Sequence, residues 1–188
     1  MLKLLLLRLK WFKKKLKWDY KYRKGTWDYM GNEKKRYDVI VNLIKESVIE
    51  SPRILDLGCG YGALNQYLNV NDYSYLLGID LSSNAIQRAK DKNYPNTHFQ
   101  VADIHQFSTI QKFDIIIFNE VLYYLDNQSE IVARFSNYFI KNGFFIFSFY
   151  GIREDLIAEL ANSYILVKKE IISQSDEVIW GICLYKVL

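Results

Sequence analysis

"RILDLGCGYGAL", residues 53–64, sets Asp56, Gly58, Gly60 and Gly62 within seven positions, in a chain of 188 residues that has only nine glycines. Glycine adds no packing surface and loses more chain entropy on folding than any other residue. A buried core therefore has no use for three of them in alternation. The run predicts a strand whose end turns sharply and whose bare main chain lets a ligand come close.

From this point outward, apolar runs of strand length alternate with stretches of helical pattern. "RILDL" is followed by "ALNQYLN", "YLLGID" by "SNAIQRAKDK", and "HFQVAD" by a short polar helix or loop at 105–111. "FDIIIFN" precedes "QSEIVARFSNYFI", and "GFFIFSFY" precedes "REDLIAELAN". The chain closes with "YILVKKEII" and "EVIWGICLYKVL", joined by a polar turn at Ser173–Asp176. Near-continuous apolar strands with helices between them imply a parallel sheet covered on both faces. The last two strands have no helix between them and predict an antiparallel hairpin at one edge. Upstream, residues 33–50 read as a helix with Tyr37, Ile40, Val41, Ile44 and Val48 on one stripe, stopped by Ser51-Pro52.

The length suits one domain, or one domain with an appendage, and can bury a full core. Half the residues are apolar and 16% aromatic, which excludes a disordered body. Cys59 and Cys183 stand alone, without zinc-site spacing, and read as free thiols in a reducing cytoplasm; no metal-ligating cluster is visible. Charge is uneven. Residues 1–24 carry ten Lys or Arg against Asp19, a net +9, which leaves −5 for the remainder of a chain of net +4. Basicity confined to a tail argues against a nucleic-acid enzyme, whose positive charge would surround its cleft.

An open α/β sheet binds ligands beyond the carboxyl ends of its strands, where the glycine run lies. A dinucleotide fingerprint is G-x-G-x-x-G and seats a pyrophosphate on a helix N-terminus. Here the spacing is G-x-G-x-G, and the Asp56 carboxylate would repel phosphate. A ligand with a cationic end fits better. "DLGCGYG" resembles motif I of the class I S-adenosylmethionine-dependent methyltransferases, and "LLGIDLS", "FQVADI" and "FDIIIFNEVLYYL" agree with that family in order and spacing across residues 51–150.

The resemblance implies a Rossmann-like, seven-stranded, mostly parallel sheet in the order 3-2-1-4-5-7-6, its last strand antiparallel and helices on both faces. It implies S-adenosyl-L-methionine as cofactor. Asp56, Gly58, Cys59, Gly60 and Gly62 would lie in its binding loop, Asp80 and Leu81 at its ribose, Asp103 and Ile104 at its adenine, and Asn119 near the reactive methyl. The alternative for Asp80 and Asp103 is helix capping, a role Ser82 or Ser83 can also take.

Methyl transfer from a sulfonium needs a positioned, desolvated nucleophile, and a hydroxyl acceptor also profits from a general base. Glu120, His105 and Tyr123 are the candidate catalytic residues, although a structural role is open for Glu120 and a solvent-facing one for His105. The loop reads Asn119-Glu120-Val121-Leu122, not the N/D-P-P-Y/F of enzymes acting on nucleobase or glutamine amines. "NEVLYYL" is instead similar to the nodulation N-methyltransferases, which act on chitooligosaccharides. Gly25–Tyr29 and Glu33–Tyr37 resemble methyltransferases of polysaccharide gene clusters. The expected activity is methylation of a hydroxyl or amino group on a small molecule, a saccharide or glycan precursor favoured. Other readings are a nicotinamide-dependent enzyme, an aminopropyltransferase, or a membrane-associated cofactor-binding adaptor without catalysis.

"MLKLLLLRLKWFKKKLKW" sets Leu2, Leu5, Leu6, Leu9, Phe12 and Leu16 on one helical arc, Lys3, Lys10, Lys14 and Lys17 on another, and Trp11 and Trp18 on a third. It is too charged and interrupted to span a bilayer. Three roles are open: an interfacial anchor on an anionic inner membrane surface through residues 1–18, a lid over the active site, or attraction to an anionic substrate or nucleic acid. The expected organisation is a basic amphipathic helix at 1–24, a segment and helix covering the active site at 25–50, and the cofactor-binding core at 51–188, in a cytoplasmic protein.

Overall fold

In the computed structural model, residues 2–175 and 178–187 are described, with side chains omitted for 2–11, 174 and 175. Seven strands form one sheet: β1 (Arg53–Leu57), β2 (Tyr75–Asp80), β3 (Thr97–Val101), β4 (Phe113–Asn119), β5 (Phe139–Tyr150), β6 (Ile165–Ser175) and β7 (Val178–Lys186). Their order is β3-β2-β1-β4-β5-β7-β6, as the family resemblance implies. Strands β1 to β5 pair in parallel, and β7 lies antiparallel between β5 and β6. The hairpin that closes the chain thus inserts its second strand inward and leaves β6 at the edge. The turn expected at Ser173–Asp176 is partly strand, since β6 runs to Ser175; Asp176 lies outside the described residues.

The five helices are α1 (Leu2–Arg23), α2 (Lys34–Glu46), α3 (Ser83–Lys90), α4 (Gln128–Ser136) and α5 (Glu154–Ala161). Strand side chains alternate between faces, and the central strands are apolar on both. Leu55, Leu57, Ile116, Phe118, Phe145 and Phe147 pack with Phe135 of α4 and Ile157 of α5. Ile54, Ile115, Ile117 and Ile146 pack on the other face with Ile40 and Ile44 of α2. A smaller cluster of Cys59, Ile86, Ala89 and Phe99 seats α3 on the sheet.

Three local expectations are corrected. "ALNQYLN" forms only a 3-10 turn at Leu64–Gln66 instead of a helix, with another at Val70–Asp72. Asn69 and Asp72 cap one another there, and the buried Asn65 bonds Thr97 Oγ1 at 3.2 Å, so short polar side chains take up the local backbone and neighbouring groups. The helix expected over 33–50 ends at Glu46. Ser47 Oγ donates to the Ile44 carbonyl, and Val48 turns out at φ 59° and is 90% exposed, so it leaves the apolar stripe. The helix expected over 128–140 ends at Ser136, because Phe139 already pairs with Phe113 as strand.

Phe118 is wholly buried and stacks on Phe147 at 5.2 Å between centroids. Phe118→Ala should cost about 4 kcal/mol and lower Tm by roughly 10 °C, read by thermal unfolding.

Candidate active site

The carboxyl ends of β1, β2 and β4 converge on a cavity of about 630 Å³. Of the glycine run, Gly58 lines it. Gly58 has φ 73° and Gly60 φ 55°, conformations that a side chain strains, and both have neighbours where a Cβ would be. At Gly58 the neighbour is Val121 of the loop after β4, 2.7 Å from the ideal Cβ; at Gly60 it is the Tyr22 hydroxyl, also at 2.7 Å. Gly62 is covered by Phe99 and, like the buried Cys59, stands behind the main cavity. A void of about 20 Å³ adjoins Cys59 and Gly60.

Two carboxylates flank this loop. Asp80, at the end of β2, accepts the Gly60 N–H at 3.1 Å and the Ser82 N–H at 2.7 Å. Capping of α3 falls to Ser82, whose hydroxyl accepts the Ala85 N–H at 3.2 Å. Burial, partly offset by those backbone donors, pushes Asp80 up to about 6. Asp56 is buried further in, and neither carboxylate oxygen has a hydrogen-bond partner. Its burial and the neighbouring Asp80 push it up to about 7, against an opposing pull from Arg36.

Leu81, Asp103, Ile104 and Asn119 line the cavity with Asp80 and Gly58. Asp103 accepts from the main chain and ring Nδ1 of His105, at 3.0 and 3.1 Å. His105 itself stands outside the cavity lining, its Nε2 buried without a partner. Asn119 Oδ1 accepts from Arg36, a residue that the sequence reading assigned no role. Arg36 is fully buried on α2, bonded also to Glu33 and to the Tyr37 hydroxyl at 3.1 Å. Its only sequence signal was the "E-x-x-R-Y" pattern, Glu33–Tyr37.

Glu120 follows β4 directly with φ 56°, a strained conformation for a residue with a side chain. Its Oε2 accepts the Tyr123 hydroxyl at 2.9 Å and its Oε1 accepts the Ser148 hydroxyl. Burial and then Glu120 raise Tyr123 well above an ordinary phenol, so it keeps its proton. An aromatic wall faces this end. Trp18 stacks on Trp27 at 6.0 Å and meets Tyr124 edge-on at 5.2 Å, and Trp27 lies 6.1 Å from Tyr29.

The wall is hung from α1, which Asp19 fastens to α3. Asp19 accepts from Ser82 Oγ at 2.7 Å, the Asn84 N–H at 3.2 Å and Lys15 at 2.6 Å. Partial burial works against the charged carboxyl, yet these donors hold it far below the usual range. The C-terminal half of α1 therefore roofs the cavity through Trp18 and Tyr22.

The residues fit the cofactor that the sequence resemblance implies. Asp56 is a buried carboxyl without a partner beside glycine main chain, behind the cavity lining, and Asp80, which lines the cavity, keeps lone pairs free to accept further hydrogens. Both aspartates bind protons more tightly folded than unfolded, so stability falls as pH rises from about 4 to about 7. Thermal unfolding of ligand-free protein should show a lower Tm at pH 7.5 than at pH 5. Asp56→Asn should flatten that slope.

The methyltransferase-domain family model matches residues 50–183. A malonyl-[acyl-carrier protein] O-methyltransferase of Bacillus cereus is 27% identical over 146 residues, 76% of this chain and 54% of that protein. Nodulation protein S of Sinorhizobium fredii is 35% identical over 99 residues, 50% of this chain and 45% of its own length. The chain spans about half the length of the curated relatives it matches. The crystal structure of N-methyltransferase NodS from Bradyrhizobium japonicum superposes with TM-score 0.72 at 24% identity, covering 82% of this chain and 96% of that one. A motif-bearing core matched over 134 of the 188 residues makes the chain a member of the methyltransferase-domain family.

Proposed function

We propose that the chain transfers a methyl group from S-adenosylmethionine to a hydroxyl or amino group of a small molecule, with a saccharide or glycan precursor as the acceptor. The carrying observation is the cavity's polarity. Asp80 and Asp103 line it beyond β2 and β3, with the unpartnered Asp56 buried behind them, and Glu120 lines it after β4 with the aromatic residues Trp18, Trp27 and Tyr124. S-adenosylmethionine supplies an electrophilic methyl on a sulfonium. Asp56 and Asp80 would hold its amino-acid and ribose ends, with Gly58, Cys59, Gly60, Gly62 and Leu81 shaping the loop and Asp103 and Ile104 beside the adenine. Arg36, buried behind the lining, would hold Asn119 in place.

Relatives span different acceptors by name, an acyl-carrier-protein O-methyltransferase and an N-methyltransferase among them. The saccharide reading rests on this chain's own wall. Aromatic faces suit the apolar side of a sugar ring, and Trp27 Nε1, buried at the wall without a partner, is a donor awaiting an oxygen. The two aspartates disfavour a pyrophosphate cofactor and hence a nicotinamide enzyme. The acceptor end around Glu120 favours catalysis over a binding-only adaptor, and its aromatic wall favours it over the larger acidic pocket of an aminopropyltransferase. Calorimetry should show S-adenosylhomocysteine bound and NADH not bound. Asp80→Ala should weaken S-adenosylhomocysteine at least tenfold by removing charge-assisted bonds. Uptake of NADH alone overturns the assignment.

The outer face of α1 supports a peripheral membrane contact. Phe12, Leu16 and Tyr20 form an i, i+4, i+8 row, each about half exposed at 52%, 51% and 53%, among Lys13 and Lys17. No helix among the described residues is long and apolar enough to cross a membrane. The leucines Leu2, Leu5, Leu6 and Leu9 have side chains outside the described residues. Flotation with anionic vesicles should carry the protein at low salt and lose it as salt rises. The double variant Phe12→Ser, Leu16→Ser should stay in the aqueous fraction at every salt concentration.

A further inference from the structure

We infer that Arg134 of α4 is a positioning residue for the methyl donor: it clamps the loop after β3 and thereby sets the site's preference for an adenine base. The inference rests on the methyltransferase reading above, in which Asp103 and Ile104 stand beside that base. Strand β3 lies at the edge of the sheet, paired with β2, so the chain that leaves it is braced by the sheet on one side only. The bond from the Ala102 N–H to the Asp80 carbonyl, at 2.9 Å, continues that pairing by one residue. Beyond it the main chain depends on other partners.

Residues 103–107 fold into a single turn. The Asp103 carbonyl accepts the N–H groups of Gln106 and Phe107 at 2.9 and 2.8 Å, and its side-chain Oδ1 accepts that of His105 at 3.0 Å. Such a turn, like the end of a helix, points carbonyls outward without partners of their own. One side chain collects them. The Arg134 guanidinium donates to the carbonyl of Ile104, to that of His105 at 2.8 Å and to that of Phe107 at 3.4 Å, the last shared with the Tyr138 hydroxyl at 3.3 Å. Its rigid fork of donors suits this set in a way that a single ammonium does not. Arg134 stands outside the cavity lining, whereas Asp103 and Ile104 are part of it, so it acts through the loop. Both contacts from His105 go to Asp103 Oδ1, so the second oxygen keeps lone pairs for an incoming N–H. The 6-amino group of adenine supplies one. A 6-oxo base sets an acceptor against that carboxylate, and a site built for a donor rejects it. Rejection holds only while the carboxylate is fixed. Removing Arg134 strips three carbonyls of a donor and frees the turn to shift.

The test uses the full chain and two probes, S-adenosylhomocysteine and its 6-oxo analogue S-inosylhomocysteine. Binding is measured by calorimetry and Tm on the same samples. The wild type should bind the adenine ligand at least tenfold more tightly than the 6-oxo ligand. Arg134→Leu should bring that ratio close to one, chiefly by weakening the adenine ligand. Arg134→Lys keeps the charge but not the fork and should fall between the two; it carries the test if the leucine variant does not fold. Asp80→Ala supplies the contrast, since it should weaken both ligands alike and leave the ratio as in the wild type. Arg134 variants that weaken both ligands equally, or lower Tm alone, with the wild-type ratio kept, assign the residue to stability and overturn the inference. A wild type that binds S-adenosylhomocysteine without preferring it overturns the inference and leaves the methyltransferase reading standing. A wild type that binds neither probe overturns both.

Discussion

Two aspartates at the dry ends of adjacent parallel strands constrain everything around them. Asp56 and Asp80 fall on one face of the sheet because β1 and β2 pair with Asp56 opposite Gly78, two residues before Asp80. Burying a carboxylate without a partner is costly: burial raises the proton affinity of both, and Asp80 raises that of Asp56 further. Main-chain N–H groups reach Asp80, from Gly60 of the glycine turn and from Ser82, while Asp56 has no donor. The ligand-free protein carries this cost as a standing preference for a cation.

The same constraint explains how much could be read from residues alone. Parallel strands buried on both faces are near-continuous apolar runs, so Leu55 to Leu57 and Ile115 to Phe118 announced themselves, as did the turn after them. The sheet order came by resemblance, since periodicity does not carry strand order. Where polar side chains compete for the backbone, pattern misled: "ALNQYLN" reads as helical, yet it forms a 3-10 turn at Leu64–Gln66, and Asn69 pairs with Asp72 just beyond it to cap a second. Val48 falls on the helical stripe by spacing alone, yet the helix ends two residues earlier.

Site residues divide in the same way. Gly58, Asp80, Leu81, Asp103, Ile104 and Asn119, at or just beyond strand ends, line the cavity because topology carries them there, whereas Asp56, Cys59, Gly60 and Gly62 do not line it. Arg36 was not legible, because a buried arginine in the first turn of a helix looks like an ordinary solvated one until the sheet is packed against it. Its partners Glu33, three residues away, and Asn119, on β4, are brought together only by the fold. His105 shows the reverse: adjacent in sequence to Ile104 of the cavity wall, it turns its ring back onto Asp103 and away from the cavity.

The cavity's two ends also come from different parts of the chain. The family match begins at residue 50, and the floor beneath the cofactor end lies wholly within it. The roof does not. Trp18, Tyr22, Trp27, Tyr29 and Glu33 precede that match, and they line the cavity because Asp19 pins α1 to the start of α3. A core that recognises one activated methyl donor can therefore serve different acceptors by exchanging the segment laid across it. In this chain that segment is aromatic on its inner face and basic along its length. The latch that fixes it engages Ser82 and Asn84, within four residues of the carboxylate of Asp80. Seating of the roof and shaping of the cavity beside Asp80 are thereby one structural event.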